Sequence, residues 1–163
     1  MRSRAVWAIV VLVVVAAIAV LLMGFNVAAL PEPGRLETAV SNKARRLLIR
    51  RASRREAPRS PVDKDKKASV DSGGTLYGQD CGMCHGSDGR GQTQLGRWMY
   101  PRAADLTSAD VQSYSDQELF WIVQNGIRLT GMPGFGKVES EEHIWNLVDY
   151  VRTLPQASEP KSK

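Results

Sequence analysis

The chain has 163 residues, with 22 Lys and Arg against 17 Asp and Glu, and only two cysteines. The net charge of +5 conceals a division: residues 1–69 carry 14 basic and 5 acidic side chains, and residues 70–163 carry 8 and 12. The basic whole-chain balance therefore describes neither half and does not argue for nucleic-acid binding, and two cysteines exclude a disulfide framework.

Ala5 to Met23 is uncharged over 19 residues, and the apolar run continues to Leu30, broken only by Gly24 and Asn26. A helix of that length spans roughly 28 Å, close to the hydrocarbon thickness of a bilayer. Residues 1–30 thus read as an N-terminal transmembrane anchor, with Arg2 and Arg4 on the cytoplasmic side. A cleaved signal peptide is the alternative, with Val27-Ala28-Ala29 as its cleavage site, but the apolar run exceeds the usual h-region. Either reading exports residues 31–163. This predicts a single-pass protein of the bacterial inner membrane with its main domain in the periplasm. The Lys and Arg beyond the anchor run against the positive-inside rule, although Asn26 to Leu36 contains only Arg35.

Residues 31–69 read as a basic tether, bracketed by Pro31 and Pro33 and by Pro58 and Pro61. Within it Leu36, Val40, Ala44, Leu47, Leu48 and Ala52 recur at helical spacing. Lys43, Arg45, Arg46, Arg50, Arg51, Arg54 and Arg55 occupy most of the remaining circumference. The pattern predicts a basic amphipathic helix within 35–57 that lies on an anionic membrane or docks on a partner. A solvated, partly disordered spacer is the competing reading. Asp63 to Ser72, mixed in charge and small in side chain, reads as a flexible link.

Residues 70–155 read as one small all-α domain with no alternating strand pattern, and 156–163 as a polar tail. Ser72 to Met83 is the expected first helix. Four glycines between Gly86 and Gly96 mark an irregular loop. Ser115-Asp116-Gln117-Glu118 is a capping box before Leu119, Phe120, Ile122 and Val123, and Asn125-Gly126 stops that helix. Ser140, with Glu141 and Glu142 in the first turn, opens the last helix. Its stripe of Ile144, Trp145, Leu147, Val148 and Val151 runs up to Pro155.

Cys81-Gly82-Met83-Cys84-His85 holds both cysteines and reads as an attachment site for one c-type haem. Two thiols three positions apart on one helical turn can each add to a porphyrin vinyl group, and the following imidazole can then reach the iron. A thioredoxin-like pair would need a βαβ context, and structural zinc would need four ligands, whereas adjacent Cys84 and His85 make awkward joint ligands and only His143 remains beyond the motif. A disulfide across three positions would be strained and leaves His85 unexplained. Exported cysteines and covalent haem are mutually consistent.

A second axial ligand has to come from far along the chain. Gly131-Met132-Pro133-Gly134-Phe135-Gly136 is a non-helical loop able to approach a flat ring, and Met132 offers a thioether 47 residues after His85. Met83 is excluded by its place inside the attachment turn. Met99, after Trp98, reads as packing, and His143 as a solvated residue among acids.

The chain resembles the class I c-type cytochromes, in particular the single-haem domains grouped with the cbb3-type oxidases, over about residues 70–155. The motifs are Gly78-x-x-Cys81-x-x-Cys84-His85-Gly86, Tyr100-Pro101 to Asp105-Leu106, Asn125-Gly126-Ile127 with Gly131-Met132-Pro133, and Leu147-Val148-Asp149-Tyr150-Val151. The resemblance implies a cytochrome c fold, short helices wrapped round the haem, with the first and last helices crossing at Gly78 against the Tyr150 region. It implies Leu106 on the haem face, and a carbonyl accepting from His85 at Ala104, where the family often has proline. Tyr100, Arg102, Trp121 and Arg128 become candidate propionate partners. The implied function is single-electron transfer, without enzymatic activity, between respiratory partners such as a quinol-oxidising complex and a terminal oxidase. Two other readings remain: a haem-based sensor or gas-binding module, and an electron-transfer subunit of a membrane oxidoreductase.

Overall fold

In a computed structural model of the chain, which describes residues 2–23, 33–61 and 65–154, every regular element is a helix. The candidate cleavage site Val27–Ala29, the charged pair Asp63 and Lys64, and the polar tail 156–163 lie outside the described residues. The chain divides into two compact units, residues 1–31 and 32–163.

The first unit is α1 (Arg2–Met23). Its window Ser3–Val20 is long and apolar enough to cross a membrane, and none of it is buried. That length and composition suit a membrane-crossing helix or a signal sequence.

The second unit contains α2 (Arg35–Glu56), α3 (Lys66–Asp80), α4 (Gly82–His85), α5 (Gln94–Trp98), α6 (Ala109–Gln112), α7 (Asp116–Asn125) and α8 (Glu141–Val151). The capping box forms as expected: Ser115 accepts from the Glu118 N–H while the Glu118 side chain accepts from the Ser115 N–H. Ser140 caps α8 by accepting from His143 N. α3 begins well before Ser72, so the expected flexible link from Asp63 is corrected over its described part. Asp65 accepts from the backbone N–H groups of Lys67 and Ala68, which nucleates the helix at Lys66. Ser69 then lies buried, its hydroxyl 2.6 Å from both Asn146 Oδ1 and Asp149 Oδ2, and Lys66 pairs with Asp149.

α3 and α8 cross at Gly73 and not at Gly78. A Cβ on Gly73 would stand 2.0 Å from the Asn146 carbonyl oxygen, whereas one on Gly78 meets nothing within 4 Å. Gly74 lies against the Tyr150 ring. One turn further on, the Tyr77 and Tyr150 rings pack at a tilt of 44° with centroids 5.0 Å apart. The core extends from this crossing through Ile144, Leu147 and Val148 of α8 to Leu119 and Phe120 of α7, with Phe120 on Trp145 at 4.6 Å.

α2 forms the helix expected within 35–57, but it buries the other face. Leu36, Val40, Leu47 and Leu48 are exposed, while Ile49 and Ser53 are buried where α2 packs on α7. Polar contacts select that face. Arg46 bonds Asp110 and Ser113 and lies 4.3 Å from the Tyr114 ring centroid, and Glu56 accepts from Trp121 Nε1 at 2.7 Å. Glu37 accepts from the Tyr100 hydroxyl at 3.1 Å, and Pro58 O accepts from Gln117. The segment is neither spacer nor free tether; it belongs to the same packed unit as the helices after it.

The crossing gives a paired stability test. Gly73→Ala should lower unfolding stability by about 1–3 kcal/mol through overpacking against the α8 backbone. Gly78→Ala should leave it unchanged or raise it by up to about 1 kcal/mol through helix propensity. Denaturant unfolding of both variants checks this, and equal losses would refute the crossing at Gly73.

Candidate functional site

α3 ends at Asp80, and Cys81, at φ −112° and ψ −33°, is both its last cap and the first cap of α4. The chain stays tightly wound through this break: Cys81 N donates to Tyr77 O, His85 N to Cys81 O and Gly86 N to Gly82 O, each at 2.9 Å. The result is one short turn carrying Cys81, Cys84 and His85. Below it, the buried Tyr77 hydroxyl donates to Gly86 O at 2.7 Å, tying the turn to α3, and burial pushes the phenol pKa up.

His85 Nδ1 lies 2.9 Å from the Ala104 carbonyl oxygen. A carbonyl can only accept, so Nδ1 carries the proton and Nε2 keeps a lone pair for a metal. Burial lowers the His85 pKa, partly opposed by that hydrogen bond, which favours the neutral imidazole. Ala104 thus supplies the carbonyl that proline often supplies in the resembling family. Backbone bonds from Gly91 to His85 O and from Leu106 to Gly89 O, both 2.7 Å, hold this loop in place. Leu106 itself packs on the hydrophobic core and is not among the residues lining the cavity described next.

Cys81 and Cys84 form no disulfide, and both line an apolar cavity together with His85 and Met132. Burial, with Asp80 and Cys84 adding to it, pushes the Cys81 thiol up to about 12. Asp80 is half-buried at the cavity edge and its Oδ2 has no hydrogen-bond partner among the described residues. The space is lined mainly by apolar atoms and is partly open to solvent.

Met132 reaches the cavity on a loop pinned to the end of α7. Phe135 N donates to Val123 O and Gly136 N to Gln124 O, while Met132 N donates to Thr130 Oγ1. Gly126, at φ +68°, allows the close approach: a Cβ there would lie 2.6–2.7 Å from Pro133 C, Gly134 N and Met132 O. The sequence-predicted residues Cys81, Cys84, His85 and Met132 therefore come together from α3, α4 and this loop.

Of the other candidates, Arg102 lines the cavity, while the exposed Arg128 does not. Tyr100 and Trp121 are engaged by Glu37 and Glu56 of α2. Met99 lines the cavity beside Gly131 in addition to packing, and Met83 is 66% exposed and off the lining. His143 is exposed and pairs with Glu139 at 2.7 Å. Arg45 was not foreseen as a site residue: it lines the cavity from α2, half-buried, with Asn42 Oδ1 accepting from it at 3.0 Å. Its only signal was helical phase, since Arg45, Ile49 and Glu56 share the docked side of α2.

A c-type haem fits these residues. Two thiols, an imidazole with its outer nitrogen available and a thioether border one apolar space, and two guanidinium groups give it a cationic component. A family model described as cytochrome c oxidase, cbb3-type, subunit III matches residues 68–151. Among solved structures, a chain of the reducing HAO-like protein complex of Kuenenia stuttgartiensis is similar, at 24% identity and a TM-score of 0.51. The alignment covers 63% of this chain and 53% of that one, so this chain spans about half its length. That likeness supports the fold.

In the matured protein, haem should stay on the polypeptide through acid–acetone extraction and denaturing electrophoresis. The Cys81→Ala/Cys84→Ala double variant should lose it completely under both treatments. Extractable haem in the wild type would refute thioether attachment.

Proposed function

The chain belongs to the cbb3-type cytochrome c oxidase subunit III family and carries one haem c on Cys81 and Cys84, and we propose that it is a membrane-anchored periplasmic electron carrier with His85 and Met132 as axial ligands. The observation carrying this reading is that His85 and Met132 line the same cavity as the two attachment cysteines. The bound haem supplies one-electron chemistry by cycling between ferrous and ferric iron. What the chain contributes is fixation. His85 is oriented by Ala104 O, and Met132 is held by a loop bonded to α7. His85 and Met132 would hold the iron between them, which would leave no position for oxygen or peroxide chemistry and would make the protein a carrier and not an enzyme. Methionine ligation favours a raised potential, suited to accepting from a quinol-oxidising complex and donating to a terminal oxidase.

The anchor is supported by α1, which is long and apolar enough to cross a membrane. Alkaline carbonate should leave the full-length protein in the membrane fraction. The matching family is described as an oxidase subunit, which favours a second form of this reading: an electron-transfer subunit inside a membrane complex. Native isolation from membranes distinguishes the two by whether the haem protein migrates alone.

Ligation has a spectroscopic test. The ferric protein should show a weak far-red sulfur-to-iron band that is lost in Met132→Ala and kept in Met99→Ala. The reverse pattern would move the ligand to Met99, and rapid binding of carbon monoxide by the ferrous wild type would favour the sensor reading.

Arg45 and Arg102 are the proposed partners of the haem propionates. A fixed cation beside the macrocycle disfavours the more positive ferric state, so Arg45→Gln should lower the midpoint potential. An unchanged potential would remove Arg45 from the propionate site.

A further inference from the structure

α2 has two unlike faces. The one turned to the haem domain presents Arg46, Ile49, Ser53 and Glu56. At 100° per residue, Leu36, Val40, Lys43, Leu47, Arg51 and Arg54 fall within about 80° of arc on the opposite side, with Arg50 at its border. No acidic residue of α2 shares that arc. The apolar members are displaced from any core: Leu36 is 78% exposed, Val40 59% and Leu47 67%. Lys43, Arg50, Arg51 and Arg54 are exposed as well.

We infer that this outer face of α2 is a membrane-surface site, binding the phosphate headgroups of an anionic bilayer through Lys43, Arg50, Arg51 and Arg54 and seating Leu36, Val40 and Leu47 at the acyl boundary. Long basic side chains fit that position because their methylene stems lie along apolar surface while the charges reach up to the headgroups. The interleaving of cations with aliphatic side chains favours lipid over an acidic protein surface, which would take the charges and leave the leucines wet. The inference deepens the anchored reading, since the same chain offers a membrane-crossing helix ending at Met23 and α2 begins at Arg35. It does not require that helix to be retained: in a cleaved protein α2 would be the remaining membrane contact. Because Glu56 of α2 is bonded to Trp121 of α7, the haem domain would ride about one helix diameter, ~10 Å, above the acyl boundary.

The haem-loaded fragment 32–163 tests α2 apart from α1. All buried hydrophobic residues of the core lie between Ile49 and Leu154, so removing α1 removes none of them. The fragment should sediment with phosphatidylglycerol–phosphatidylcholine vesicles at low salt, less so as salt rises, and not with pure phosphatidylcholine. Lys43→Gln/Arg50→Gln/Arg51→Gln/Arg54→Gln should weaken binding on the order of a thousandfold. Leu36→Asn/Val40→Asn/Leu47→Asn should abolish the part that resists salt. Arg97→Gln/Lys137→Gln, equally exposed on the haem domain, should bind as the parent does. A fluorophore on Val40→Cys, selective because haem-linked cysteines are blocked, should shift to the blue on anionic vesicles alone. No binding by the parent fragment, undiminished binding by the quadruple variant, or an unshifted probe would each overturn the inference. Release of the full-length protein by carbonate together with intact vesicle binding by the fragment would refute the anchor and leave the α2 site standing.

Discussion

The close approach of α3 to α8 at Gly73 is the contact on which the rest of the second unit depends. Backbone meets backbone there, and a single methyl group on Gly73 would stand 2.0 Å from the Asn146 carbonyl oxygen. The buried Ser69–Asn146–Asp149 cluster fixes the register on one side of the crossing, and the Tyr77–Tyr150 pair fixes it on the other. Buried polar groups of this kind stabilise only when all partners are in place, so they also penalise a slipped register. The register in turn decides where α3 stops and where Cys81, three residues beyond Gly78, meets the cavity. A domain of this size has a thin core, and the apolar cavity beneath α4 is where the macrocycle completes it.

The site is assembled mostly by backbone hydrogen bonding between loops. His85 is aimed by one carbonyl, at Ala104, whose position is set by pairings of Gly89 and Gly91 with the segments on either side. Met132 depends in the same way on Gly126 and on the last turn of α7. Side-chain identity at position 104 is therefore of little consequence for the acceptor. Alanine serves because the carbonyl and not the ring accepts the proton. A covalent attachment on α4 is well matched to this architecture, since loops that close only through such bonds would otherwise release a ligand whenever they opened.

What was legible in the sequence was what local chemistry dictates. The haem motif, the Ser115 capping box, the Ser140 start and the all-α character each rest on a few adjacent residues, and each has its counterpart in the structure. What was not legible depended on tertiary pairing. Gly73 and Gly78 look alike along the chain, and only the position of α8 distinguishes the glycine in contact from the free one. The segment after Asp63 reads as flexible by composition, yet polar burial of Ser69 makes part of it helix, against the hydrophobic pattern. In α2, periodicity marks Leu36, Val40 and Leu47 as a face for a membrane or a partner, and the side that docks on the following helices, with Arg46, Ile49 and Glu56, carries no such pattern. Arg45 at the cavity was hidden for that reason.

The docked α2 changes what the charge division of the chain means. As a free tether, the basic half would let an acidic haem domain swing away from the bilayer and search for partners. Held by Arg46 to Asp110, by Glu56 to Trp121 and by Glu37 to Tyr100, the helix instead places positive charge at a fixed distance from the haem cavity. Arg45 lines the cavity and Arg50, Arg51 and Arg54 are exposed, so a single helix presents cations both to the cavity and to solvent. The acids of the haem domain, among them Asp88 and Glu141, are left exposed on the remaining surface. A positively charged partner would then be attracted to that surface and repelled from the α2 side, with salt screening both effects. Orientation, more than reach, would set which part of the haem edge a partner meets.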